Sequence, residues 1–158
     1  MQTTAAPGPG ILIRVARVIG APAAEVYRAW TDPATKPAWW GRTERGQLTA
    51  CEMDVRVGGR FRYEMLAADP GVPAVAAGQH LEVSPPNRLV FTWPGRPDGE
   101  EEGQTKVTLE FVDLRDGTSR GVVTQEGVRD QRVATIYRSA WANVLQDLAL
   151  HFAGPRAT

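Results

Sequence analysis

Few residues of this sequence have the types and spacing that acid–base, nucleophilic or metal chemistry requires. The two histidines, His80 and His151, are far apart in the sequence, and Cys51 is the only cysteine. A zinc site needs three or four clustered ligands, and no Cys/His spacing here supplies them. Cys51 has no neighbouring histidine, so we interpret it as a small buried hydrophobe rather than a nucleophile. The sequence predicts no metal and no organic cofactor.

Two carboxylates remain as candidates for a general base. Glu110 and Glu126 could take that role if they were buried, although a solvated surface carboxylate is the default. The sequence contains no Gly-x-Ser-x-Gly elbow of the hydrolase type. Gly58-Gly59 lacks the context of a phosphate-binding loop and predicts a turn or bulge. No catalytic residue is assigned, and whether the protein is an enzyme stays open.

Recognition of an apolar ligand is the chemistry that the sequence favours. An unusually aromatic set of side chains is predicted to lie between a sheet and one long helix, and the tyrosine hydroxyls among them could orient a polar group of a ligand. For each residue alone, ordinary core packing is the alternative, and the tryptophan pair could simply fix a helical insert onto the sheet. The candidate ligand-binding residues are Trp39, Trp40, Phe61, Tyr63, Leu81, Trp93, Leu109, Phe111, Tyr137, Trp141 and Val144.

The helix that positions part of this set spans residues 133–152. Its apolar residues recur in steps of three, one and four, which marks one face of an α-helix. Asp130 is the predicted N-cap, and Gly154-Pro155 is a stop signal. That face comprises Val133, Ile136, Tyr137, Ala140, Trp141, Val144, Leu145, Leu148 and Phe152.

Most of the chain before this helix has the alternating pattern of strands. In the fourth strand, Leu81 and Val83 are predicted to face the core, with His80 and Glu82 on the polar side. Short turns between consecutive strands favour antiparallel pairing. The predicted strands span 11–19, 48–55, 60–66, 78–83, 88–93, 105–114 and 118–125. Two short helices, 23–30 and 33–39, follow the first strand.

The pattern therefore predicts one apolar sheet face covered by a single helix. A curved sheet wrapped on one helix closes poorly at its ends, which leaves room for a cavity of the kind that binds small molecules. Residues 1–10 and 154–158 are predicted to be tails, and 11–153 to be one domain. A loop is predicted over residues 69–73.

Composition excludes several classes of partner. Lys and Arg total 18 and so do Asp and Glu, so no net charge attracts nucleic acid or acidic lipid. No apolar run is long enough for a membrane span, and the N-terminus lacks the features of a secretory signal. The single cysteine favours a reducing, cytoplasmic setting.

Five motifs, in this order, resemble one protein family. They are Ala21-Pro22, residues 26–33 (VYRAWTDP), Trp39-Trp40-Gly41, residues 58–61 (GGRF) and residues 83–93 (VSPPNRLVFTW). The chain resembles the activator of heat-shock-protein-90 ATPase homologue family, within the START-like (SRPBCC, Bet v 1-like) superfamily. The resemblance implies an α+β helix-grip fold, with a curved antiparallel sheet of six or seven strands around a C-terminal helix. It also implies a deep apolar cavity, often without catalytic residues.

The first expectation for function is the binding of a small hydrophobic or aromatic molecule between sheet and helix. A co-chaperone that stimulates the ATPase of the 90-kDa heat-shock chaperone in a stress response is the alternative that the resemblance implies. Charged surface at Arg42, Glu44, Arg45 and the loop 94–104 could serve that interaction, although activators of this type also use a separate N-terminal domain. Some superfamily relatives are polyketide aromatase/cyclases, which is a further alternative, and a homodimer is left open.

Overall fold

A computed structural model describes residues 10–41, 47–66, 74–95 and 104–153. Several predicted features lie outside the described residues: the tails 1–9 and 154–158 with the Gly154-Pro155 stop signal, the loop 69–73, the charged residues Arg42, Glu44 and Arg45, and most of the loop 94–104. Within the described part of the chain, no helix is both long and apolar enough to cross a membrane.

The order of elements agrees with the sequence pattern. One strand, two short helices, six strands and one long helix follow each other along the chain. They are β1 (Ile11–Ile19), α1 (Ala23–Thr31), α2 (Lys36–Trp39), β2 (Leu48–Met53), β3 (Arg60–Met65), β4 (Ala74–Ser84), β5 (Arg88–Pro94), β6 (Gln104–Asp113), β7 (Ser119–Val128) and α3 (Gln131–Ala153).

The seven strands form one antiparallel sheet in the order β1-β7-β6-β5-β4-β3-β2. Strands β2 to β7 therefore pair with their sequence neighbours, as short connections favour, and β1 adds to the open edge of β7. With α3 against this sheet and two short helices after β1, the architecture confirms the predicted α+β helix-grip fold.

Helix α3 begins where its N-cap was predicted. The Asp130 carboxylate accepts a hydrogen bond from the Arg132 backbone N–H at 2.7 Å, and the Asp130 carbonyl accepts one from Ala134 at 2.9 Å. Because a free N–H at the helix start is satisfied by this side chain, Asp130→Ala is expected to lower the free energy of unfolding by about 1 kcal/mol. Asp130→Asn, which keeps the acceptor, should cost less, and urea titrations of both variants measure the difference.

The buried face of α3 is rotated slightly from the predicted one. Tyr137, Trp141, Val144, Leu145 and Leu148 are buried as expected. Ile136 is 49% exposed and Ala140 is also exposed, so their placement on the inner face was wrong. Ala134 and Asp147 are buried instead, because α3 packs on the sheet along a line through positions 134, 137, 141, 144 and 148.

The strand faces match the prediction except in β4. On β3, β5 and β6 every candidate ligand-binding residue is buried. On β4, Leu81 is 44% exposed and His80 is 1% exposed, so the predicted facing of this strand was wrong. Its inner face is formed by Ala76, Gly78 and His80, which are small or polar, and the pairing with β5 shifts register between His80 and Glu82.

Candidate functional site

A continuous group of buried rings occupies the space between the sheet, α2 and α3, and we call it the aromatic cluster. Each member has at least one other member as a neighbour, with ring centroids no more than 6.4 Å apart. All five tryptophans of the chain belong to it. The members are Trp30, Trp39, Trp40, Phe61, Tyr63, His80, Phe91, Trp93, Phe111 and Trp141.

Trp40 contacts cluster rings from α1, from the sheet and from α3. Its ring centroid lies 5.7 Å from that of Trp30 on α1, 5.3 Å from Tyr63 on β3 and 6.4 Å from Trp141 on α3. Trp93 on β5 is also 6.4 Å away. Trp40 directly follows α2, so its position fixes the short helices against both sheet and long helix.

The backbone that follows Trp40 is hydrogen-bonded to α3. The next residue, Gly41, has φ +75°, and its N–H donates to the buried carboxylate of Asp147 at 2.9 Å. A residue with a side chain adopts that φ only with strain, so glycine suits the position. Asp147 therefore anchors the end of the helical insert to α3.

The cluster is large because α3 lies close to only one half of the sheet. In the described structure its backbone approaches β1 closely and β7 to a lesser extent, whereas β2–β6 do not come as near. Rings bridge the remaining distance: Trp93 and Trp141 meet with centroids 4.9 Å apart, and Phe61 stacks on Trp93 at 5.9 Å. The region between α3 and β3–β5 is thus filled mainly by aromatic side chains.

A lysine lies inside the cluster. Lys36 is fully buried, and its Nζ donates a hydrogen bond to the Trp30 carbonyl oxygen at 2.8 Å. The same Nζ is 4.0 Å from the centroid of the Trp30 ring, 5.2 Å from Trp40 and 5.1 Å from Tyr63. Because Trp30 is in the last turn of α1, its carbonyl has no partner within the helix, and Lys36 supplies one.

No carboxylate of the described residues pairs with Lys36. Burial therefore holds the pKa of Lys36 well below its usual value, and the nearby Cys51 only partly opposes this shift. Burial also raises the pKa of the Cys51 thiol and, strongly, that of the Tyr63 hydroxyl. The two groups that could provide a negative charge beside Lys36 are thus kept neutral.

Burial of Lys36 makes the stability of the protein depend on pH. Between the lowered pKa of folded Lys36 and its ordinary value of 10.5, the unfolded chain binds more protons, so stability rises with pH. One proton gives a slope of at most about 1.4 kcal/mol per pH unit. The unfolding free energy of the natural protein minus that of Lys36→Met is expected to increase from pH 7 to pH 9, as measured by urea titrations at each pH.

The matched control is Lys106→Met, because Lys106 is the only other lysine and lies on the surface. Taking differences between variants matters here, since Cys51 and Tyr63, with raised pKa values, lower the stability at still higher pH. If the unfolding free energy of the natural protein minus that of Lys36→Met does not change from pH 7 to pH 9, the pKa of Lys36 is not lowered in the folded protein.

A second set of buried polar groups borders the cluster on the side of α3. The Trp141 indole donates to the Gln125 side-chain oxygen at 2.8 Å, and the Gln125 amide donates to the Thr105 hydroxyl at 2.9 Å. Thr105 in turn donates to the Trp93 carbonyl at 2.9 Å. These bonds satisfy groups that would be costly to bury alone, and they fix the orientation of Trp141.

The predicted ligand-binding residues fall into three groups. Seven of them, from Trp39 to Trp141, are members of the aromatic cluster. Leu109, Tyr137 and Val144 are buried in the same core, and the Tyr137 hydroxyl donates to the Pro94 carbonyl at 2.7 Å. Leu81 lies on the outer face of β4 and cannot contact the others.

The residues considered for catalysis do not form a site. Glu110 pairs with Arg88 at 2.7 Å and Glu126 with Lys106 at 3.7 Å, all with partly exposed side chains, so neither carboxylate is a buried base. His80 is buried, with Nδ1 3.2 Å from the Gly59 carbonyl oxygen, and burial lowers its pKa. In the described part of the chain, no three His, Cys, Asp or Glu residues are grouped to hold a metal.

The lysine and three of the rings were not predicted from the sequence. Trp30, Phe91 and His80 complete the cluster, and Lys36 lies within it. One signal for Lys36 was present: the chain has sixteen arginines and only two lysines, and this lysine stands between Trp30 and the pair Trp39-Trp40. A chain that uses arginine for nearly every cation has a separate reason to keep a lysine there.

Comparison with known proteins identifies relatives of this fold. A family model described as "Activator of Hsp90 ATPase homolog 1-like protein" matches residues 20–153. Protein CV1439 from Chromobacterium violaceum is 28% identical with a TM-score of 0.72, and the match covers 91% of this chain and 99% of that one. No curated protein matches the sequence.

Two further solved structures show the same fold. The AHSA1-like protein from Aeromonas hydrophila has a TM-score of 0.73 at 23% identity, over 94% of this chain and 97% of that one. PFC0360w from Plasmodium falciparum, described as an HSP90 activator, has a TM-score of 0.70 at 19% identity, over 92% of this chain and 99% of that one.

Proposed function

The chain belongs to the family of Activator of Hsp90 ATPase homologue 1-like proteins, and from that premise we propose that it binds a small hydrophobic or aromatic molecule between the sheet and α3. The aromatic cluster is the observation that supports this proposal. Binding sites for small molecules combine apolar and aromatic walls with a few converging polar groups. Here the walls are the rings of β3, β5 and α3, and the polar groups are those of Lys36, Gln125 and Thr105.

Trp40 is the ring that a ligand would replace. It is the one cluster member that touches α1, β3, β5 and α3 together, and it comes from a short insert rather than from the sheet. An aromatic ligand in its place would stack against Tyr63, Trp93 and Trp141 and recover the contacts that the indole gives up. We place this binding in a reducing, cytoplasmic compartment, which suits the free Cys51.

Tryptophan fluorescence tests the proposal directly, because all five tryptophans are in the cluster. Titration with lipids, flavonoids and polyketides is expected to give a saturable change in emission for at least one class. Trp40→Phe should alter the affinity for that compound, whereas Leu81→Ala, on the outer face, should leave it unchanged. A panel that gives no saturable change and no thermal shift would count against ligand binding.

A co-chaperone role is the second candidate, and the description of the matching family model favours it. In that role the protein would stimulate the ATPase of a 90-kDa heat-shock chaperone in a stress response. An ATPase assay with the purified bacterial chaperone measures this, with a heat-denatured sample of the protein as control. Unchanged ATPase turnover at a several-fold excess of the protein would rule out the co-chaperone role and leave the ligand proposal intact.

A further inference from the structure

We propose that Lys36 recognises the ligand of the aromatic cluster, and that this ligand is a weak organic acid with an aromatic or other apolar body and one carboxylate. The inference rests on the proposed function, since it specifies the chemistry of the molecule bound there. Its basis is a pair of buried donor groups: the Lys36 amino group, which has one acceptor in the described structure, and the Trp30 indole N–H, which has none.

The first donor is the Lys36 amino group. The amino group has two N–H donors when neutral and three when protonated, and one of them goes to the Trp30 carbonyl oxygen. No other hydrogen bond or ion pair to the described residues uses the rest, although the side chain is fully buried. Buried donors without acceptors cost free energy, so an acceptor delivered by a ligand would be strongly favoured.

The second donor is the indole N–H of Trp30. Its Nε1 is buried and has no acceptor among the described residues. It belongs to the same ring over which the Lys36 Nζ lies at 4.0 Å from the centroid. The Lys36 amino group thus lies over the face of the indole whose edge carries the unpartnered N–H, so two acceptor oxygens of a carboxylate suit both donors better than a single hydroxyl does.

The groups around the lysine do not compete with such an anion. Cys51 on β2 and Tyr63 on β3 are the titratable neighbours, and burial raises the pKa of both, so they stay neutral near pH 7. His80 on β4 also stays neutral, because burial lowers its pKa. Asp32, which also acts on Cys51, lies at the surface. The described surroundings of Lys36 thus contain aromatic faces and neutral polar groups.

A lysine suits this role better than an arginine. Arginine keeps its charge at any ordinary pH, whereas a buried lysine can lose its proton while the site is empty. When the acid binds, the neutral amine takes up one proton from solvent and becomes an ammonium that pairs with the carboxylate. The N–H bond of the ammonium is the only covalent bond that forms, its proton comes from solvent, and the net change is at most one proton bound per ligand.

The test compares an acid with a neutral molecule of the same shape. The probes are 2-naphthoate and 2-naphthamide, titrated at pH 8 by tryptophan fluorescence and by calorimetry in phosphate and in Tris. The natural protein is expected to bind the acid at least about tenfold more tightly than the amide, as charge-assisted hydrogen bonds allow. The binding enthalpy of the acid should differ between the buffers, as proton uptake on binding requires, and that of the amide should not.

Lys36→Met should lose both the preference for the acid and the proton uptake while still binding the amide, and Lys106→Met should behave as the natural protein. Labelling the two lysines with ¹³C at Cε gives a readout without any variant: the acid, not the amide, should move the Lys36 signal towards that of an ammonium. Equal affinities for acid and amide would overturn this inference and leave ligand binding intact. If neither probe nor any compound of the wider panel binds, both proposals fail.

Discussion

Trp40→Ala is expected to lower the free energy of unfolding by about 3–5 kcal/mol, the usual cost of deleting a buried tryptophan. The residue is 5% exposed and its ring contacts Trp30, Tyr63, Trp93 and Trp141. Its removal takes away apolar contact area and leaves a space lined by rigid rings that cannot collapse into it. Urea titrations followed by far-ultraviolet circular dichroism measure the loss without relying on the deleted fluorophore.

The same variant tests how the site binds a ligand. An apolar space of ring size in a protein core takes up small aromatic molecules. Added indole is therefore expected to raise the melting temperature of Trp40→Ala in a concentration-dependent way and to raise that of the natural protein much less, because there it must first displace the Trp40 ring. Trp40→Phe, which keeps a ring, serves as the control and should lose less stability. A loss below about 1 kcal/mol, with no rescue by indole, would mean that Trp40 does not hold the cluster together.

The overall architecture could be predicted because each element has a strong local signal. The 3.6-residue period and the Asp130 cap located α3, and alternation on β3, β5 and β6 identified the strands and their inner faces. Turn residues between strands fixed the antiparallel order. These are properties of neighbouring residues, so the sequence shows them without knowledge of the tertiary structure.

The errors arose where tertiary packing overrides the pattern. On β4, the inner face consists of Ala76, Gly78 and His80, which have no hydrophobic period, so the exposed Leu81 was interpreted as the core residue. On α3, burial of Asp147 depends on its bond to Gly41, a residue from a distant insert. Neither arrangement could be predicted from local pattern because each depends on which elements meet in three dimensions.

Burial of Lys36 also depends on tertiary structure rather than on local sequence pattern. A charged side chain is expected at the surface, and the position before a proline in a short polar stretch gives no indication of burial. Its environment is made by residues of α1, β2 and β3 together with Trp40, which only the fold brings together. The aromatic members of the site could be predicted by type, whereas the burial of Lys36 among them could not, because its rarity and its place between tryptophans mark the residue without showing where its side chain lies.

Gly78→Ala is expected to cost about 3 kcal/mol, because a side chain at this position has no room. A Cβ there would lie 2.3 Å from the Thr92 carbonyl oxygen and 2.7 Å from Cζ of Phe61. The first neighbour is backbone, so relief requires β4 and β5 to move apart. The second is the ring that stacks on Trp93, so the substitution should also disturb the aromatic cluster and shift its tryptophan emission.

Gly20→Ala is the matched control, since a Cβ at Gly20 would meet no atom within 4 Å. Its stability should stay within about 0.5 kcal/mol of the natural protein, as for most surface substitutions. Comparing the two variants by urea titration separates the loss of glycine flexibility, which is common to both, from the clash, which only Gly78→Ala has. If Gly78→Ala were as stable as Gly20→Ala, the close approach of Phe61 to β4 would be wrong, and with it the packing of Phe61 on Trp93 in the aromatic cluster.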